Sequence, residues 1–295
     1  MFIDVQKALL FYTVVAWSED FSGAVIDYGT WPDQHRRQFT LADANPTIQS
    51  KFPKAGFEGG LYSALSNLTE DYLAREWERE DGAMLKIEKA MIDANWGQST
   101  DIVYQFCRQS QYSTVLMPSH GRYVGASSKP MTEYRKQPGD KLGFNWMIPN
   151  VAGKRAIRHV IYDTNYWKSF IHARLAMEIG DNGSLSLYGR IPGNHELLAQ
   201  HLTAEYRVKT QGRGRTVDEW KIKPDRVDNH WLDCMVGCAV CASMLGAALP
   251  ETLTKARVVK PKIKLSDKQQ SFTQSSTPQA NTKLKLSQIK RSKNG

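Results

Sequence analysis

The sequence has no disulfide framework. It holds four cysteines in 295 residues, and three of them, Cys234, Cys238 and Cys241, recur at helical spacing in one run. No second Cys/His pair at zinc spacing accompanies them, so packing rather than metal binding is their expected role. No stretch is apolar over a length that spans a bilayer, and there is no signal peptide. Both absences point to a reducing cytoplasm. A nucleotide-binding loop is also missing, because Gly121 and Gly125 are not followed by Gly-Lys-Ser/Thr and that pattern occurs nowhere else.

Most of the chain lacks net charge as well. The formal charge is +9, but between Glu251 and Gly295 eleven Lys or Arg face only Glu251 and Asp267, which leaves 28 basic and 28 acidic residues in 1–250. The body is neutral and the tail carries the whole excess. From about Pro250 the composition shifts to Lys, Ser, Thr, Gln and Pro with few apolar side chains. Such a segment cannot bury enough surface to offset its conformational entropy, so residues 251–295 are expected to form a disordered basic tail. That tail is either a solvated extension or a sequence-independent tether for DNA or a partner.

What precedes it is 41% hydrophobic and 10% aromatic in the full count, a globular composition, and long enough to bury a real core. Residues 1–6, 9–17 and 23–29 read as three strands with short connections, an antiparallel meander. Leu61, Leu65, Leu68, Tyr72, Leu73 and Trp77 recur at helical spacing. A strand over 84–93, a helix from about Ser99 to Arg108 and a strand over 114–118 follow, and this strand, helix, strand order implies a partly parallel sheet. Residues 119–141 read as a loop. Beyond it come a strand over 158–163, an amphipathic helix over 167–177, a short strand over 184–188 and a helical stretch from about His195 to Leu202. Segments 204–208 and 217–222 flank Gln211-Gly212-Arg213-Gly214-Arg215, the basic tip of an expected hairpin.

The run from Asp228 to Gly246 organises the rest. Asp228 or Asn229 can cap a helix and Gly246 can close it. Gly237, Cys238, Ala239, Cys241, Ala242 and Ser243 carry little bulk, so this helix can lie close against a sheet. A single charge, Asp233, sits inside it. A carboxylate in the first turn of a buried helix needs a dipole, a hydrogen bond or a cation to compensate it. Either it caps or pairs locally, or it is a metal ligand. The second reading requires other carboxylates at strand ends, and Asp4 and Asp93 are placed for that role. Clustered carboxylates are the usual protein contribution to two-ion phosphodiester hydrolysis. Acids at strand ends are common, however, and spacing alone does not decide between the two.

Local sequence adds a specific signal. Asp93-Ala94-Asn95-Trp96-Gly97-Gln98-Ser99-Thr100, Met117-Pro118-Ser119-His120-Gly121, Tyr162-Asp163-Thr164-Asn165-Tyr166-Trp167-Lys168, His201-Leu202-Thr203-Ala204-Glu205 and Asp228-Asn229-His230-Trp231-Leu232-Asp233-Cys234 stand in this order. Together they resemble the large terminase subunit of tailed bacteriophages, in its lambda-like (gpA) branch. The resemblance covers the C-terminal nuclease region, here from about Phe2 to Gly246. It implies an α/β fold over residues 1–250, an RNase H-like mixed sheet flanked by helices, and a metal-dependent endonuclease that cuts concatemeric viral DNA during packaging.

The family's catalytic metal ligands map onto Asp4, Asp93 and Asp233, which the resemblance implies hold two Mg²⁺ or Mn²⁺ ions. Asp163 is a further candidate ligand and Glu205 a candidate assistant; their plain alternatives are a strand-end cap and a surface salt bridge. Lys168 and His230 are candidates to touch phosphate or position water, with His230 otherwise expected to face solvent at the helix start. Arg122, Lys129, Arg135, Lys136, Lys168, Arg213 and Arg215 are candidate contacts to double-stranded DNA, although solvated loops share this composition. The implied partners are the terminase small subunit and the portal protein, and the implied setting is the bacterial host cytoplasm with no membrane. Family members carry an ATPase motor ahead of the nuclease, whereas this chain opens inside a strand. The expectation is a motor encoded separately, or a domain that was excised or truncated. Two other readings stand beside this one: a resolvase or transposase core, and a non-catalytic prophage remnant that binds DNA or a portal through its tail.

Overall fold

The computed structural model describes residues 1–249 except 152–156, 190, 192 and 227. The tail read above as disordered lies outside the described residues. In chain order, β1 (Phe2–Val5), β2 (Leu10–Trp17) and β3 (Gly23–Trp31) form the expected antiparallel meander. The short α1 (Ile48–Lys51) and long α2 (Gly56–Leu73) lead to a small hairpin, β4 (Trp77–Glu78) and β5 (Met84–Leu85). Then come β6 (Ala90–Asp93), α3 (Gly97–Gln109), β7 (Leu116–Arg122), β8 (Lys141–Gly143), β9 (Trp146–Ile148), β10 (Val160–Asp163) and α4 (Thr164–Leu175). The last elements are β11 (Leu185–Leu187), α5 (Glu196–Leu202), the hairpin β12 (Glu205–Gly212) and β13 (Arg215–Ile222), and α6 (His230–Leu245).

Nine strands form one mixed sheet in the order β11-β3-β2-β1-β6-β7-β10-β9-β8. Strands β1, β6, β7 and β10 run parallel to their neighbours in that series, and the meander extends the sheet on the β1 side. A meander joined to parallel strands is compatible with the RNase H-like reading. Both faces are covered. Helices α2 and α3 pack Leu61, Leu65, Leu68, Val103 and Phe106 against Ile3, Leu10 and Ile92 on one side. Helices α4, α5 and α6 pack Trp167, Ile171, Leu198, Met235 and Val236 against Phe2, Phe11 and Met91 on the other. Full burial of each such side chain is worth about 1.5–3 kcal/mol. Because a strand alternates its side chains, Phe2 and Asp4 share the α6 face while Ile3 and Val5 take the opposite one.

Two expectations change, and two short strands are added. The strand read over 84–93 is divided: Lys86 and Glu88 keep the first part at the surface, and only Ala90–Asp93 enters the core sheet. Strand β7 runs on through Ser119, His120, Gly121 and Arg122, which read as loop from composition. Pairing with β6 on one side and β10 on the other holds this polar segment extended. Strands β8 and β9, three residues each, are too short to show alternation in the sequence.

Candidate active site

The register of the parallel strands brings the first two acids together. Phe2 lies opposite Met91 and Ile3 opposite Ile92, so Asp4 and Asp93 follow side by side at the carboxyl ends of β1 and β6. That end of an open α/β sheet is where ligands bind, because the chain diverges there and leaves a crevice. On β10, Tyr162 faces the same way; burial, then Asp93, Asp233 and Asp4, push its phenol well above its ordinary range. Helix α6 supplies Asp233 from its first turn, and the small residues behind it allow close approach to β1. A Cβ on Gly237 would stand 1.8 Å from Cδ2 of Phe2, so no larger residue fits the present helix-to-sheet spacing. The helix ends as expected, with Gly246 left-handed at φ 111°.

Each acid has different company. Asp4 is buried, accepts from Gln6 Nε2 at 3.1 and 3.3 Å, and meets Nδ1 of His230 at 2.7 Å. His230 is itself buried, stacked on Phe11 with centroids 4.4 Å apart, and its Nε2 lies 3.6 Å from Asp228. Burial pulls its pKa down, but the Asp228 and Asp4 carboxylates outweigh that and push it up to about 9. Asp228 is held in turn by the Leu41 N–H at 2.8 Å. The expectation of a solvent-facing His230 is therefore corrected: it is a clamp on Asp4, drawn inward by two carboxylates.

Asp233 pairs with Nζ of Lys168 at 3.0 Å, and the same ammonium reaches Glu205, which also accepts from Asn229 Nδ2 at 2.5 Å. Burial raises the Asp233 carboxyl pKa while Lys168 opposes it. The Asp233 side chain nonetheless keeps 35% of its surface open, in keeping with a site at the mouth of a crevice. Lys168 is buried; burial lowers its pKa, but Asp233 and Glu205 more than reverse this. The salt bridge expected of Glu205 is present, but it is buried rather than superficial.

Asp93 accepts from the Asn95 N–H at 3.3 Å and has no cation partner among the described residues. Burial first, then the charge of Asp4, hold its carboxyl well above the ordinary range. An ionised Asp93 therefore costs stability above its folded pKa, and the cost vanishes below the unfolded carboxylate value of about 3.9. In metal-free buffer at pH 8, Asp93→Asn is expected to raise the melting temperature by about 2–4 °C, roughly 1 kcal/mol for a domain of this size. Calorimetry at pH 8 and at pH 3.5 checks this, since the gain should disappear at the lower pH.

The other candidates fall elsewhere. Asp163 caps α4 by accepting the Tyr166 N–H at 3.2 Å, and by strand alternation it points away from the Tyr162 side; burial lifts its pKa to about 6. Arg122, Lys129, Arg135, Lys136 and Arg213 are exposed. Arg213 and Gly214 turn the hairpin with φ of 50° and 70°, the left-handed pair that a two-residue turn requires. Arg215 instead ties the hairpin to the chain after β7, donating to the carbonyls of Gly125 at 2.8 Å and Ser128 at 2.5 Å. Lys168, proposed from sequence for DNA, is sequestered between Asp233 and Glu205. The cysteines pack as expected: all four are free and buried, and burial pushes Cys107 and Cys241 up to about 12.

The donor set suits a hard divalent cation in chemistry, being carboxylate oxygen with a deficit of positive charge at Asp93. Among the described residues no three His, Cys, Asp or Glu side chains converge tightly enough to chelate one ion as they stand. Lys168 stands on Asp233 and His230 on Asp4, so each of these two carboxylates already has a cationic partner. Among the described residues no helix is long and apolar enough to cross a membrane.

No curated protein and no solved structure matches the chain. A family model does, over residues 1–254: the endonuclease domain of the terminase large subunit gpA. The chain belongs to this phage terminase endonuclease family.

Proposed function

We propose that the protein is a metal-dependent DNA endonuclease that cuts concatemeric phage DNA for packaging, with Asp4, Asp93 and Asp233 holding Mg²⁺ or Mn²⁺. The observation that carries this reading is geometric: the register of β1 and β6 sets Asp4 and Asp93 side by side at their carboxyl ends, and α6, packed on the same face, contributes Asp233 from its first turn. Two divalent ions at such a site supply activation of a water molecule and neutralisation of charge on the phosphate. The chain's own residues prepare the place. His230 fixes the Asp4 carboxylate from one side, and Gln6 does so from the other. Lys168 neutralises Asp233 and is retained by Glu205, so the acids stay together before an ion arrives. Asp163 acts as the cap of α4 rather than as a ligand in this reading. The expected partners are double-stranded DNA, a terminase small subunit and the portal, in the host cytoplasm.

A plasmid-nicking assay tests the reading. Nicks are expected with Mg²⁺ or Mn²⁺ and none in EDTA; wild-type protein that never nicks with either ion would overturn it. DNA affinity is expected to rest largely on the tail, because 1–250 is neutral and 251–295 carries eleven basic residues. Deleting 251–295 should lower affinity and flatten its salt dependence, since fewer counterions are released. Equilibrium binding across a salt series reads this directly, and an unchanged slope would contradict it.

A further inference from the structure

Beside the acids lies an open cleft of about 440 Å³, within the ~300–1,000 Å³ range of ligand sites. Its wall includes Gln6, Lys7, Ala8, Leu41, Gln49 and Trp96. Two of these connect it to the candidate site. Gln6 lines the cleft and donates to both oxygens of Asp4. Trp96 stands three residues beyond Asp93, its backbone fixed by accepting the N–H groups of Ser99 at 2.9 Å and Thr100 at 3.1 Å. Its indole is half-buried and braced edge-to-face by Phe57, with centroids 5.3 Å apart.

Resting on the nuclease reading, we propose that this cleft receives a nucleobase, that of an unpaired or extruded nucleotide next to the scissile phosphate, with Trp96 as its stacking platform. A strand whose phosphate lies at Asp4 and Asp93 must place its neighbouring nucleoside within one nucleotide's reach, and Gln6, which touches Asp4 and lines the cleft, puts the cleft one side chain away from that acid. The chemistry suits that occupant. An indole with apolar walls from Ala8 and Leu41 offers a surface to a base face, which stacks with little regard to sequence. The Gln6 and Gln49 amide oxygens offer acceptors to a base edge, while their Nε2 groups donate to Asp4 and to the Pro53 carbonyl. Exposed Lys7 brings positive charge to the mouth for the adjoining phosphate, on a body that is otherwise neutral. Extruding a base costs a few kcal/mol in a duplex and least where pairing is already weak. Trp96 is thereby a specificity-determining residue: cutting is favoured where a base leaves the stack readily.

The chain has eight tryptophans, so ¹⁵N labelling gives eight indole signals, and Trp96→Phe identifies one of them. Titration with 5′-phosphorylated deoxydinucleotides, in EDTA and again in Mg²⁺, should move the Trp96 signal most. Trp96→Ala should weaken dinucleotide binding roughly tenfold, and Trp96→Phe should restore most of it. In cleavage, duplexes with one abasic position should be cut more slowly by wild type at a single flanking position, with no such dependence in Trp96→Ala. A Trp96 signal unmoved under both conditions overturns the proposal, even where ion-dependent nicking is intact. A Trp96 response without any nicking keeps the cleft and removes the nuclease reading instead.

Discussion

Asp4→Asn is expected to abolish DNA cleavage, lowering the rate by on the order of 10³-fold or more, while the protein stays folded. The substitution is isosteric, so β1 keeps its buried pattern and its register with β2 and β6. The amide oxygen can still accept from Nδ1 of His230, whose charge then rests on Asp228 alone; an imidazole releases its proton far more readily than an ammonium, so the fold is kept at a smaller cost. What is lost is the negative charge beside Asp93, and with it much of the attraction for a divalent cation. The plasmid-nicking assay reads the first half of this prediction and far-ultraviolet circular dichroism with a thermal melt reads the second. Asp233→Asn should match it in activity but not in stability. Its amide leaves the Lys168 ammonium paired with Glu205 alone, and a buried cation that loses one partner is costly. Cleavage retained in either variant removes these residues from the catalytic centre. A variant that fails to fold is told apart by its melt, and Asp93→Asn, with no ion pair to break, then supplies the test in a stable background.

The acids and the fold around them were legible for different reasons. The meander announces itself through β-branched and aromatic runs, and α6 through a stretch of small side chains interrupted by one charge. Both are local patterns. The partners of the acids are not local. His230 meets Asp4 across 226 positions, and Lys168 meets Glu205 across 37, so nothing in the neighbouring sequence names either pair. A weaker signal did exist. Lys168 shares the helical stripe of Trp167 and Ile171, and His201 that of Leu198 and Leu202, all buried. A polar residue on a core-facing stripe announces a partner even when the partner cannot be named. The same limit explains β7, whose Ser119–Arg122 segment has loop composition but strand geometry. Its conformation is dictated by two neighbouring strands rather than by its own propensities.

Among the described glycines, Gly237→Ala is expected to be the most damaging added methyl. The added Cβ would lie 1.8 Å from Cδ2 of Phe2 and 2.3 Å from both Cγ and Cε2. Phe2 is 1% exposed on the central strand and Gly237 sits among fully buried neighbours on α6, so neither side has room to yield. Overpacking of this kind costs typically 1–3 kcal/mol and occasionally more, and a clash with three ring atoms belongs at or above the upper end. About 3 kcal/mol corresponds to a fall of roughly 6–12 °C in melting temperature. Activity should suffer beyond what unfolding explains. Asp233 lies one helical turn before Gly237, so a helix that backs away from β1 carries that carboxylate away from Asp4 and Asp93. Two measurements separate the effects: the melt, and cleavage well below the transition where the variant is folded. Phe2→Leu combined with Gly237→Ala should recover part of both, because a smaller side chain on β1 returns the space the methyl takes. A Gly237→Ala protein that melts like wild type and cuts at the wild-type rate would show that close packing of α6 on β1 is not what sets Asp233 in place.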